Sequence, residues 1–130
     1  MIVDTSFLVA LFIVEDELHS KAISQLEELE NKELLVLDRV LEETFTVITY
    51  KKGINYMFSV LEKINKNTSF LISRLENNEC CSVLELALKI NKKLSFVDYA
   101  VLYLALKTND SLLCFDVELN KLVILLKNKR

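Results

Sequence analysis

Residues 1–12 read Met-Ile-Val-Asp-Thr-Ser-Phe-Leu-Val-Ala-Leu-Phe. Met1-Ile2-Val3 is a short apolar run that ends at Asp4, and Thr5-Ser6 then lead into an apolar helical stretch. This is the pattern of an interior strand delivering directly into a helix. A carboxylate at such a junction lies where open α/β sheets place their ligand chemistry, just beyond the carboxyl end of a strand.

The same alternation continues outward along the chain. Leu18, Ala22, Leu26 and Leu29 fall at helical spacing within residues 15–31, opposite a charged side, and Leu34 to Leu37 read as a second strand. Residues 39–51 return to the helical period, with Gly53, the one glycine of the chain, placed to stop that helix. Tyr56, Val60 and Ile64 predict a helix over 54–66, and Phe70-Leu71-Ile72 a third strand. Val83, Leu86, Ala87 and Ile90 form another helical stripe, and Ser95 begins a helix carrying Val101, Leu102, Leu104 and Ala105. Leu112 to Phe115 read as a strand, Val117 to Asn120 as a turn of helix, Leu122 to Leu126 as a last strand, and Lys127 to Arg130 as a solvated tail. Short apolar strands alternating with helices predict an α/β fold, a three-layer α/β/α sandwich with a mostly parallel central sheet.

With 130 residues, the chain is expected to form one domain over 1–130 and to bury roughly 68% of its unfolded surface. Its 52% apolar and 27% charged residues exclude a disordered chain. A net charge of −3 excludes a generally basic nucleic-acid sleeve, but the sign is uneven. Residues 15–43 carry ten acidic and three basic side chains, whereas residues 51–130 carry eight and thirteen. Three cysteines, Cys80, Cys81 and Cys114, show no zinc-like pairing, and no secretory leader precedes them, so the expectation is a reduced cytoplasmic protein. Cys80 and Cys81 read as structural. The longest apolar run, Phe7 to Val14, is eight residues against the roughly 20 of a spanning helix, so no membrane insertion is expected. The single histidine, His19, is expected to face solvent.

The residues that carry chemistry are acidic. Asp4 and Asp116 each follow a predicted strand and precede a predicted helix, and Asp98 lies in the first turn of its helix. Each also fits a capping role, and Ser95-Phe-Val-Asp98 has the spacing of a capping box. Asp98, however, shares its helix face with Val101, Leu102 and Ala105, and a carboxylate on an apolar face needs a partner. Of the pair Glu42-Glu43, Glu43 shares a face with Val40, Val47 and Tyr50 and points inward, whereas Glu42 is solvated. Glu43 alternatively reads as a hydrogen-bonded acid at the rim of the core. Brought together, Asp4, Glu43, Asp98 and Asp116 would repel one another unless protons or cations relieved the repulsion. An oxygen-only donor set suits Mg²⁺ or Mn²⁺ rather than zinc, and such ions orient water and stabilise charge on a phosphate.

These segments resemble the PIN-domain family, and more particularly its small ribonuclease toxins from prokaryotic toxin–antitoxin pairs. MIVDTS is similar to the family's first-strand aspartate motif at Asp4, and LDRVLEETFTVI to its glutamate region, where Glu43 matches better than Glu42. LSFVDYAVLYLA resembles its central aspartate helix at Asp98, and LLCFDVEL its last acidic region at Asp116. The resemblance implies a metal-dependent endoribonuclease using Mg²⁺ or Mn²⁺, with Asp4, Glu43, Asp98 and Asp116 as catalytic and metal-binding residues. It also implies RNA as substrate, a homodimer, and an antitoxin protein as inhibitory partner. One departure is Cys114, where the family often has Ser or Thr two residues before the last aspartate; it reads otherwise as a small buried residue.

Around this set, Thr5 and Ser95 either donate to nearby carboxylates or cap their helices. Lys51, Lys52, Lys92 and Lys93 are candidate phosphate contacts, or solvated helix ends. Tyr50 and Tyr99 read as core-edge aromatics rather than base-stacking platforms. The alternative function is a non-catalytic RNA-binding or protein-interaction domain of the same fold. A receiver-like signalling domain fits poorly, because Asp4 stands without a second acid beside it.

Overall fold

A computed structural model describes residues 1–129. Eleven elements follow in chain order: β1 (Ile2–Val3), α1 (Thr5–Phe12), α2 (His19–Glu28), β2 (Leu34–Leu37), α3 (Asp38–Lys52), α4 (Ile54–Lys66), β3 (Phe70–Ser73), α5 (Asn77–Ile90), α6 (Phe96–Thr108), β4 (Leu112–Leu113) and α7 (Val117–Asn128). The four strands form one sheet in the order β3-β2-β1-β4, and every neighbouring pair is parallel. Helices cover it to give the expected three-layer sandwich. The chain winds outward from β1 through β2 to β3, then returns to the other side of β1 for β4. The change of direction therefore falls between β1 and β4, where a parallel sheet opens its crevice.

Sequence pattern and packing agree for most elements. Ile2, Val3, Leu34, Val36 and Leu37 are buried strand residues, as expected when helices lie on both faces. The helix α6 is buried nearly all round, through Tyr99, Ala100, Val101, Leu102, Leu104, Ala105 and Leu106, and packs against α3, α5 and α7. Gly53 ends α3 and starts α4 with φ at 91°, a left-handed conformation that glycine adopts without strain. Among the described residues, no helix is long and apolar enough to cross a membrane.

Several expectations are corrected. Residues 122–126 are not a strand but the middle of the continuous helix α7, with Leu119, Leu122 and Val123 buried and Ile124 and Leu125 exposed. A continuous apolar run does not itself distinguish strand from helix. Lys127 belongs to that helix and donates to the Asp110 carbonyl instead of starting a tail, while Arg130 lies outside the described residues. The helix expected from residue 15 begins at His19, because Asp16 accepts from the Leu18 amide and holds a turn ahead of it. His19 is half-buried, its Nδ1 2.8 Å from the Ala10 carbonyl near the end of α1. Tyr50, on the last turn of α3, is 88% exposed, whereas Tyr99 is buried with its hydroxyl donating to the Lys92 carbonyl.

Candidate active site

The junctions that follow β1 and β4 and the start of α6 each place an acid through a helix cap. Asp4 accepts from the Ser6 amide and so caps α1, and Asp116 accepts from the Leu119 amide at 3.1 Å and caps α7. Ser95 and Asp98 form a reciprocal capping box, each backbone amide donating to the other's side chain at 3.1 Å. The capping roles foreseen for these residues are thus real. They do not compete with a role in a site, because capping fixes each carboxylate at the end of an element that opens onto the same space.

That space is an open depression of about 470 Å³ whose wall includes Asp4, Glu43, Asp98 and Asp116 together. Asp4 is its deepest member, only 4% exposed. Glu43 reaches it from α3, one residue after the exposed Glu42. Burial raises the Glu43 carboxyl above its ordinary value, and the charges of Asp4 and Asp98 push it the same way. Thr5 opposes that shift by favouring the ionised form, although its buried hydroxyl makes no hydrogen bond of good geometry. Burial likewise raises Asp98; the Ser95 hydrogen bonds counter it, and Asp4 and Asp116 add to it. Mutual repulsion among these four groups is therefore felt at both Glu43 and Asp98.

The donor set matches a hard cation in type, since all four groups offer carboxylate oxygen. All the hydrogen bonds to the Asp4 carboxylate fall on Oδ2, leaving Oδ1 without a protein donor among the described residues. The buried Thr5 hydroxyl, beside Glu43, has no hydrogen-bond partner of good geometry among the described residues. The spacing is looser than the composition: among the described residues, no three His, Cys, Asp or Glu side chains stand as a ready-made metal-holding group.

Two residues of the depression were not singled out from sequence. Ser6 donates from Oγ to Asp4 Oδ2 at 2.8 Å and accepts the Phe115 amide at 2.9 Å, so one hydroxyl ties the β1–α1 junction to the loop after β4. Its signal in the sequence was the position two residues after Asp4. Asp16, in the turn before α2, adds a carboxylate to the wall, and irregular turns carry no periodic signal. Cys114 stands beside Asp4 instead of being simply a small buried residue. Its Sγ lies 3.2 Å from Asp4 Oδ2 as donor and accepts the Asp116 amide at 3.1 Å. Burial and the neighbouring Asp4 charge push this thiol up to about 12.

The PIN-domain family profile matches residues 1–125, which includes all four acids. The chain belongs to the PIN-domain family. Nine chains of solved structures match it. One is the crystal structure of VapC20 from Mycobacterium tuberculosis, described as a sarcin-ricin loop cleaving toxin. It superposes with a TM-score of 0.81 at 21% identity over 93% of each chain, a likeness of fold. No curated protein matches significantly. In this PIN domain Lys52 pairs with Glu15 at 3.0 Å, so that candidate phosphate contact is already engaged.

Proposed function

We propose that this PIN domain, residues 1–130, is an endoribonuclease that hydrolyses RNA phosphodiester bonds with Mg²⁺ or Mn²⁺. The observation that carries the reading is the gathering of Asp4, Glu43, Asp98 and Asp116 around one depression at the switch point of a parallel sheet. Asp4, Asp98 and Asp116, assisted by Glu43, would hold the cation. Bound there, it would offset their charge and polarise the scissile phosphate.

The chain's own groups divide the remaining work. Ser6 and Cys114 fix the orientation of Asp4, and Ser95 fixes that of Asp98. Glu43 brings a further carboxylate from α3 to the same depression, where it would assist in holding the cation and in orienting an attacking water. The same chemistry serves exonucleolytic and DNA-directed cleavage. Toxin activity is proposed on the likeness to VapC20, an antitoxin partner and a homodimer on the resemblance of the sequence to the toxin members of the PIN family, and a cytoplasmic location on cysteine usage.

The test is cleavage of defined single-stranded and structured RNAs by the purified chain, with Asp98→Asn purified in parallel. The expected result is cleavage with Mg²⁺ or Mn²⁺ that disappears in EDTA and in the variant. Intact RNA with a folded, metal-supplied chain, together with RNA or partner binding insensitive to Asp98→Asn, would establish the non-catalytic alternative.

A further inference from the structure

Arg39 is the second residue of α3, one helical turn before Glu43 and on the same side of the helix. Its guanidinium carbon lies 5.9 Å from the centre of the Phe96 ring, at the start of α6 and two residues before Asp98. This contact links α3 to α6 alongside the Glu43 and Asp98 carboxylates. Among the described residues, the Arg39 Nε is buried without a hydrogen-bond partner and no ion pair involves Arg39. The adjacent carboxylate does not supply one, since Asp38 Oδ1 accepts the backbone amides of Arg39 and Leu75.

A buried donor without a partner is costly, and an aromatic face offsets a cation's lost hydration only in part. Arginine presents a planar fork that matches phosphate oxygens, and it is less strongly hydrated than lysine. A depression lined by carboxylates repels a polyanion, so a strand entering it gains from a fixed positive charge at the flank. Arg39 is not in the wall of the depression but lies one helical turn from Glu43 and against Phe96, two residues from Asp98, whereas Lys52 and Lys107 are held by Glu15 and Glu79.

We propose that Arg39, braced on Phe96, binds a phosphate of the RNA strand next to the one seated over the carboxylate depression. This rests on the ribonuclease reading and adds a substrate-positioning residue outside the acidic set.

The test uses a 5′-labelled single-stranded RNA and the Asp98→Asn chain, which would bind without cleaving. Fluorescence anisotropy is followed across salt concentrations for that chain alone and with Arg39→Gln or Arg39→Lys added. Arg39→Gln is expected to weaken binding about tenfold and to make the salt dependence shallower by about 0.7 in log–log slope, the share of one phosphate contact. Arg39→Lys is expected to keep the slope and lose part of the affinity. Thermal melting checks folding, and if Arg39→Gln does not fold, unchanged affinity in Arg39→Lys would overturn the proposal. Equal affinity and slope in Arg39→Gln, with RNA still bound and cut by the otherwise unaltered chain, would overturn the Arg39 contact and leave the nuclease reading standing. Failure of the unaltered chain to bind or cut RNA would overturn both.

Discussion

The Ser6 hydroxyl donates to Oδ2 of Asp4 at 2.8 Å and so pins the deepest carboxylate of the depression from two residues away. The same oxygen accepts the Phe115 amide, which makes it a joint between β1 and the loop after β4. Ser6→Ala would leave that amide without a partner and Asp4 without its shortest donor. The expected loss of stability is about 1–3 kcal/mol, measured by denaturant unfolding. If Asp4 is a metal ligand, Mn²⁺ affinity should also fall about 10- to 100-fold, as for other groups that orient ligands. A variant with unchanged stability and unchanged Mn²⁺ binding would show that the joint is not mechanically important.

Asp98→Asn separates the cost of the acidic cluster from its use. Burial and the neighbouring charges raise the Asp98 carboxyl above its ordinary value, so its charged form destabilises the fold relative to the unfolded chain. The favourable contribution is present at low pH and is lost as pH rises through the raised value. At neutral pH and in EDTA, the neutral amide removes this penalty, and its oxygen can still accept the Ser95 amide. The variant should therefore melt at the same temperature as the parent chain or a few degrees higher. Saturating Mg²⁺ should reverse the order by stabilising the parent, while cleavage in the variant falls by at least about 10²-fold. A variant that melts lower in EDTA would contradict the burden assigned to this charge.

Much of the depression was legible from sequence because its acids sit at punctuation points. Asp4 ends an apolar run, Asp116 follows one, and Asp98 occupies the third helical position after Ser95, so each was marked by its element boundary. Glu43 was separated from Glu42 by helical phase, and the half-buried Glu43 and exposed Glu42 follow that phase. Ser6 and Asp16 lacked such marks, since a serine after a capping aspartate reads as helix start and a turn carboxylate as solvated surface. Tyr50 and His19 show the limit of phase arguments near helix ends. A residue in the last turn of α3 projects beyond its neighbours, and one at the start of α2 meets the end of α1.

Cys114 gives a chemical check on the same corner. A thiol raised to about 12 remains protonated at pH 8 and is a poor nucleophile, whereas Cys81 is exposed. Iodoacetamide at pH 8 should modify Cys81 readily and leave Cys114 largely intact, as read by peptide mass spectrometry. The linked stability effect has a definite sign. An unfolded thiol ionises near its ordinary value of 9.0, so the native chain binds the extra proton between about 9 and about 12, and stability falls as pH rises through that window. Cys114→Ser should lack this added decline. Rapid alkylation of Cys114 in the folded chain would contradict its placement against Asp4.

The last helix offers a decision between two readings of one apolar run. A strand over Leu122 to Leu126 would set Leu122, Ile124 and Leu126 on one face, with similar costs of truncation. In α7 the helical period instead turns Leu119, Leu122 and Val123 inward, with Leu122 4% and Ile124 61% exposed. Leu122→Ala is therefore expected to cost about 2–4 kcal/mol through lost burial and a residual cavity. Ile124→Ala should stay within about 0.5 kcal/mol, because little surface is buried there and alanine favours a helix. Denaturant melts of the two variants supply the comparison, and equal destabilisation would favour the strand. The difference bears on the site as well, because Asp116 caps this helix through the Leu119 amide. Loosening α7 at Leu122 should therefore weaken Mn²⁺ binding to the folded chain more than the same truncation at Ile124.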